Sequence, residues 1–197
     1  PPPSPHATPR PPVTSAPVAI SPSPRPPSGS DEVKARLAES YAKTATSLGR
    51  KGRLPEALEG FNKSLELVPN DVETLINRGL TLAALKQFAP ALRDLDLALR
   101  LAPSDTRALT QRGRLRGLSG NPSEGIKDLT AAIGQNAKYA EAYYFRAELF
   151  SAQREHQRAH DDFNTAKNLS PKYSPLYNAA RLGKGREKKT LQRLRGE

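Results

Sequence analysis

His156 and His160 stand one helical turn apart, with Glu155 and Asp161 beside them. Paired imidazoles at that spacing ligate zinc, so this is the first constellation to weigh. The Glu that zinc peptidases carry just after the first histidine is missing here, where Gln157 stands instead. No metal site is expected. The chain has no Cys, which removes thiol nucleophiles, thiolate metal sites and disulfides together. It also lacks a Gly-x-Ser-x-Gly elbow, a glycine-rich phosphate loop and a plausible Ser/His/Asp set. Gly183-Lys184-Gly185 is too short and isolated to cradle a phosphate. The expectation is a protein with no enzymatic activity, no cofactor and no small-molecule substrate.

Charge is the next chemical signal. The formal net charge of +11 suggests a polyanionic partner, but its distribution argues against one. Residues 31–171 hold 21 Lys and Arg against 18 Asp and Glu, and the excess lies in the end segments. Residues 186–195 read as a basic helix with Leu191 and Leu194 as its apolar anchors. That stretch lacks the aromatic side chains on which single-stranded nucleic acid stacks, and it reads as a solvated end. Nucleic acid is not the expected partner, although an electrostatic adaptor working through this tail is retained as an alternative. No run of 18 apolar residues exists, so no membrane-spanning helix is expected.

The elements that would position any site follow from the punctuation of the chain. Residues 1–30 contain 12 of the 19 prolines and predict an extended or disordered linker. PxxP patterns such as Pro9-Arg10-Pro11-Pro12 match SH3-type ligands, but such patterns are unavoidable at this Pro density and no SH3-type ligand is expected. From Ser30, which is placed to cap a helix opening with Asp31 and Glu32, helical periodicity runs almost to the C-terminus. Turn signals interrupt it at Gly49 to Gly52, Pro69-Asn70, Pro103-Ser104, Gly120-Asn121-Pro122 and Ser170-Pro171. No period-two alternation predicts a strand.

These breaks are regular. Pro69, Pro103, Ala137 and Pro171 recur every 34 residues, as do Ala57, Ala91, Gly125 and Ala159. Phe61, Leu95, Leu129 and Phe163 form a third column, and Ser64, Ala98, Ala132 and Ala166 a fourth. Small residues belong where helix backbones come closest, bulky ones fill the space between, and Pro stops a helix. Asn121-Pro122-Ser123-Glu124 reads as a helix start, with a capping Asn and Pro at the first helical position.

Over residues 38–171 the chain resembles the tetratricopeptide repeat family in four consecutive copies. Tyr41, Ala45, Leu48, Ala57, Phe61, Ser64 and Pro69 take the motif places of the first copy. Leu75, Gly79, Leu82, Ala91, Leu95, Ala98 and Pro103 take those of the second. The fourth is equally complete, with Tyr143, Ala147, Phe150, Ala159, Phe163, Ala166 and Pro171. The third has Arg116 at an apolar place and Ala137 for Pro, so its first helix is expected to be the irregular one. The resemblance implies an all-α, right-handed α-solenoid of helix-turn-helix repeats at 38–71, 72–105, 106–139 and 140–173. Residues 174–182 would form a capping helix with Tyr177 at a motif position, and 174–197 would complete the cap and basic tail. His156 and His160 fall where the family packs half-buried side chains.

Such arrays resemble one another in holding a peptide or helix in a concave groove lined by the first helix of each hairpin. The corresponding positions here are Glu39, Ala42 and Thr46, then Glu73, Ile76 and Leu80, then Arg107, Thr110 and Arg114, then Glu141, Tyr144 and Glu148. The carboxylate clamp that some members use for chaperone C-termini is incomplete. Its places hold Ala42, Thr46, Asn77, Arg107 and Gln111, of which Asn77 and Arg107 fit. Ile76, Leu80 and Tyr144 are expected to be exposed in the groove, with packing against the cap or the N-terminal extension as the other reading. The functional expectation is a protein-interaction scaffold with a protein or peptide partner. A regulatory or oligomerising C-terminal arm of a larger enzyme, such as a peptidase, is the alternative. It is motivated by the Met-free, Pro-rich start, which predicts a fragment or mature remnant of a longer chain. A bacterial cell-envelope setting is favoured over cytoplasm.

Overall fold

A computed structural model describes residues 29–173; residues 1–28 of the linker expected at 1–30, and the cap and basic tail expected at 174–197, lie outside the described residues. Eight α-helices follow one another: α1 Gly29–Arg50, α2 Leu54–Leu67, α3 Val72–Ala84, α4 Phe88–Leu101, α5 Thr106–Leu118, α6 Pro122–Gln135, α7 Ala140–Ala152 and α8 His156–Leu169. A 3-10 turn, Pro171–Tyr173, closes the described part. The described residues contain no strand. Consecutive helices pair as antiparallel hairpins, α1 with α2 through α7 with α8, and each hairpin also contacts the next. The result is an α-solenoid.

The same local chemistry makes each hairpin turn. Gly52, Lys86, Gly120 and Arg154 all occupy the left-handed region, with φ of 78°, 60°, 85° and 62°. In each case the following amide reaches back to close the first helix: Arg53 to Leu48 O, Gln87 to Leu82 O, Asn121 to Arg116 O and Glu155 to Phe150 O. Glycine adopts this conformation freely, and Lys86 and Arg154 do so at a cost. Each second helix ends two residues before Pro69, Pro103, Ala137 or Pro171. The following first helices are capped by side chains in two cases. Asp71 accepts from the Thr74 amide at 2.9 Å, and Asp105 from the Ala108 amide at 2.7 Å.

Three expectations are corrected here. Helix α1 begins at Gly29, so Ser30 lies inside its first turn and does not cap it. Asn121 is at the cap position of α6 with Pro122 after it, but its side chain makes no capping bond. The first helix of the third hairpin is also regular: α5 spans 13 residues, as α3 and α7 do. Arg116 causes no break because its guanidinium finds Asp128 at 2.9 Å, so a partly buried ion pair replaces the apolar contact.

Packing explains the columns of small residues. Ala45, Ala57, Ala91, Ala98, Ala132, Ala147 and Ala166 are completely buried between helices. In the third hairpin both close-approach positions are glycine, and a Cβ on Gly113 would stand 2.8 Å from the carbonyl oxygen of Gly125. Leu75, Leu95, Leu115 and Leu129 fill the continuous seam between hairpins.

A polar ladder runs through that seam and escaped the sequence analysis. Arg78, Arg112 and Arg146 each grip an aspartate 16 residues ahead with two hydrogen bonds, to Asp94, Asp128 and Asp162 respectively. Each also reaches a residue 16 behind, on the preceding hairpin: Asn62 at 3.0 Å, Asp96 at 2.8 Å and Thr130 at 3.0 Å. The planar guanidinium suits this fork, which ties one hairpin to its predecessor while neutralising a buried carboxylate. The 34-residue recurrence of these Arg and Asp residues was the available signal. In the first copy both are absent together, and Thr44 and Gly60 stand in their places.

Candidate groove on the first helices

The first helices α1, α3, α5 and α7 are successive neighbours and form one wall of the array. Each turns its motif side chains toward its own second helix, which leaves the opposite side for a groove. Two recesses open on this wall near the N-terminus. The larger, about 500 Å³, lies between α1 and the start of α3, and Ser64 of α2 and Val68 just past its end also line it. The smaller, about 320 Å³, continues toward α5 and is lined by Leu80, Thr81, Ala84 and Arg107. Thr46, Arg50 and Asn77 belong to both, so the recesses form one trough.

The groove positions separate into groups. Glu73 and Asn77 border the larger recess, and Asn77, Leu80 and Arg107 meet in the smaller. The Asn77 side-chain oxygen accepts from Arg107 at 2.5 Å, so these two residues brace α3 against α5. The next repeat has the same brace with other chemistry, because the Gln111 amide donates to Glu141 at 3.0 Å. Glu141 also accepts from the Tyr139 hydroxyl at 3.3 Å. Burial, followed by the nearby Glu141 carboxylate, pushes the Tyr139 phenol up to about 12.

Farther along, Arg114 is exposed and covers the Phe145 ring, 4.7 Å from its centre. Tyr144 stacks on Tyr173 at 5.0 Å and donates to Glu148 at 2.9 Å. Burial raises its phenol pKa well above the usual range, and the hydrogen bond to Glu148 adds to the shift.

The expected exposure of the apolar groove residues is corrected in part. Ile76 is 2% exposed and belongs to the core shared between hairpins. Leu80 is half-buried against the same core, and Tyr144 is half-buried under Tyr173. Thr110 is fully buried and its hydroxyl donates to Thr106 O at 2.7 Å. His156 and His160 are both exposed on α8, which corrects their expected packing. Among the described residues no group of three or more His, Asp or Glu is arranged to hold a metal.

Arg50, the last residue of α1, was not among the positions singled out from the sequence because it carries no periodic signal. Its exposed side chain at the junction of both recesses is visible only in three dimensions.

A tetratricopeptide repeat family model matches residues 43–106 and 110–174. The chain belongs to the tetratricopeptide repeat family. As a repeat array of this family it is similar in structure to MamA, with a TM-score of 0.58 at 25% identity, over 71% of this chain and 83% of that one. It is also similar to the first TPR of Spaghetti (RPAP3), which is bound to an HSP90 peptide, with a TM-score of 0.58 at 24% identity over 61% of this chain and 95% of that one. YrrB, described as a TPR protein with an unusual peptide-binding site, gives a TM-score of 0.62 at 23% identity over 76% of this chain and 77% of that one. At these identities the last two establish a shared fold. No curated protein matches the sequence significantly.

Proposed function

We propose that this repeat array is a protein-interaction module that takes a peptide or helix into the trough along α1, α3 and α5. One observation carries this reading: the two recesses join through Thr46, Arg50 and Asn77 into a single concavity on the first helices. Its walls mix apolar surface with both charge signs, from Glu39, Glu73, Lys43 and Arg50, as peptide-binding surfaces do. The peptide-bound solved structure of similar fold supports the class of partner. The reading assigns the chain a scaffolding role and no catalytic step.

Ile76 lies in the core, so the trough is tested elsewhere. The full chain, used as bait with mass-spectrometric detection, is compared with a Thr46→Trp/Arg50→Glu variant. This change fills the junction and reverses its charge at residues outside the buried core. Loss of the proteins captured by the wild type, with helical circular dichroism intact, is the expected result. Unchanged capture by the folded variant would overturn the trough as the site.

A further inference from the structure

The braces between successive first helices keep one register. Asn77 on α3 meets Arg107 on α5 at 2.5 Å, and Gln111 on α5 meets Glu141 on α7 at 3.0 Å. At the joint between α1 and α3 the same two places hold Lys43 and Glu73. Their charges are complementary, yet Lys43 turns back along its own helix to Glu39 at 2.6 Å. Among the described residues Glu73 has no ion-pair partner, and it borders the larger recess. The first joint thus leaves open a brace that the other two joints close.

That recess is also short of side-chain volume. Ala38, Ala42 and Thr46 stand where the next repeat packs Val72, Ile76 and Leu80 into the core. The small side chains line an opening of about 500 Å³, and an inserted hydrocarbon stem would recover the missing aliphatic contacts. Glu39 and Glu73 select the end of that stem. A cation makes charge-assisted hydrogen bonds with them, whereas a carboxylate would meet two like charges. Lys and Arg side chains combine such a stem with such a head. Lys43 competes only weakly for Glu39, because both side chains of that pair are exposed. Arg50, exposed at the other end of the recess, has no carboxylate partner among the described residues. From Glu39 to Arg50 α1 rises about 16 Å, at roughly 1.5 Å per residue. Five residues of extended peptide cover the same length, at roughly 3.3 Å each.

We infer that the recess takes a Lys or Arg side chain of a partner peptide, its stem over Ala38 and Ala42 and its charge on Glu73 and Glu39. An Asp or Glu about five residues away on the same peptide pairs with Arg50. This assignment rests on the trough proposed above and names the chemistry of its ligand.

A phage-displayed library of random dodecapeptides, panned on the full chain, supplies the probe. Enriched peptides should share a Lys or Arg with an Asp or Glu about five positions away. The consensus peptide, labelled with fluorescein and titrated by anisotropy, should bind Glu39→Gln/Glu73→Gln about tenfold more weakly. Lys43→Ala should bind it about threefold more tightly, because the competing cation is gone. All three side chains are exposed, and circular dichroism checks that the variants keep their helices. Enriched peptides without a basic residue, unchanged affinity in the double variant, or weaker binding to Lys43→Ala each overturn the inference, as does a library that enriches nothing. Peptides of any other composition that lose binding to Thr46→Trp/Arg50→Glu keep the trough and sink this assignment alone. Peptides that bind that variant unchanged remove the trough itself.

Discussion

Gly113 and Gly125 face each other across the third hairpin so closely that a Cβ on Gly125 would lie 2.5 Å from the carbonyl oxygen of Gly113. The obstacle is backbone and cannot rotate away. Gly113→Ala should therefore cost about 2 kcal/mol by overpacking, read as a lower urea midpoint with an unchanged slope. Ala45 and Ala57, fully buried at the equivalent places of the first hairpin, show that another hairpin accepts a methyl at both positions. At the same scale, Tyr139 links stability to alkaline pH. Its folded pKa of about 12 lies above the ordinary 10.0, so its contribution is complete below pH 10 and disappears between pH 10 and 12. Tyr139→Phe should be about 1 kcal/mol less stable at pH 8 through the lost hydrogen bond to Glu141. Urea titrations at pH 8 and pH 11.5 should show that deficit narrowing, and a constant gap would refute the assignment.

At the scale of the element, each hairpin turn uses one left-handed residue, and two of the four are not glycine. Arg154→Gly and Lys86→Gly should each stabilise the array by about 1 kcal/mol, whereas Gly52→Ala and Gly120→Ala should destabilise it by a similar amount. Thermal or urea denaturation measures both directions, and gains at Gly52 or Gly120 would contradict the turn geometry. Helix α5 shows how an element survives a motif violation. Arg116 occupies an apolar place, and the helix is held by the paired Arg112 and Arg116 facing Asp96 and Asp128. Removing one member by Asp128→Ala leaves two partly buried guanidinium groups without their shared acceptor. The expected loss is about 3 kcal/mol, checked by urea denaturation against Asp96→Ala, which should cost less because Asp96 is more exposed.

At the scale of the whole molecule, stability is a sum over hairpins and the joints between them. The arginine ladder reinforces the second, third and fourth hairpins internally, and the first lacks it because Thr44 and Gly60 replace both partners. The first hairpin also has no hairpin ahead of it among the described residues, and Val33 and Leu37 of α1 are 65% and 44% exposed. Hydrogen exchange should therefore show α1 and α2 opening first, and the smallest protection elsewhere in the array would contradict this. The trough lies against that least reinforced hairpin, where repacking around a ligand costs least.

The 34-residue columns determined the fold class and the hairpin pairing, because small, bulky and helix-stopping residues act through local geometry that repeats with the sequence. They also brought Asn77, Leu80 and Arg107 to one wall, since helix periodicity alone assigns a face. Tertiary structure decided what that face leaves open. Ile76 and Thr110 share the periodic positions of Ala42, yet adjacent helices cover them, and burial depends on a neighbour's side-chain volume as much as on a residue's own register. The open recess arises from a difference between two repeats at the same places, Ala38, Ala42 and Thr46 against Val72, Ile76 and Leu80. Only the packing of α1 against α3 turns that difference into a cavity.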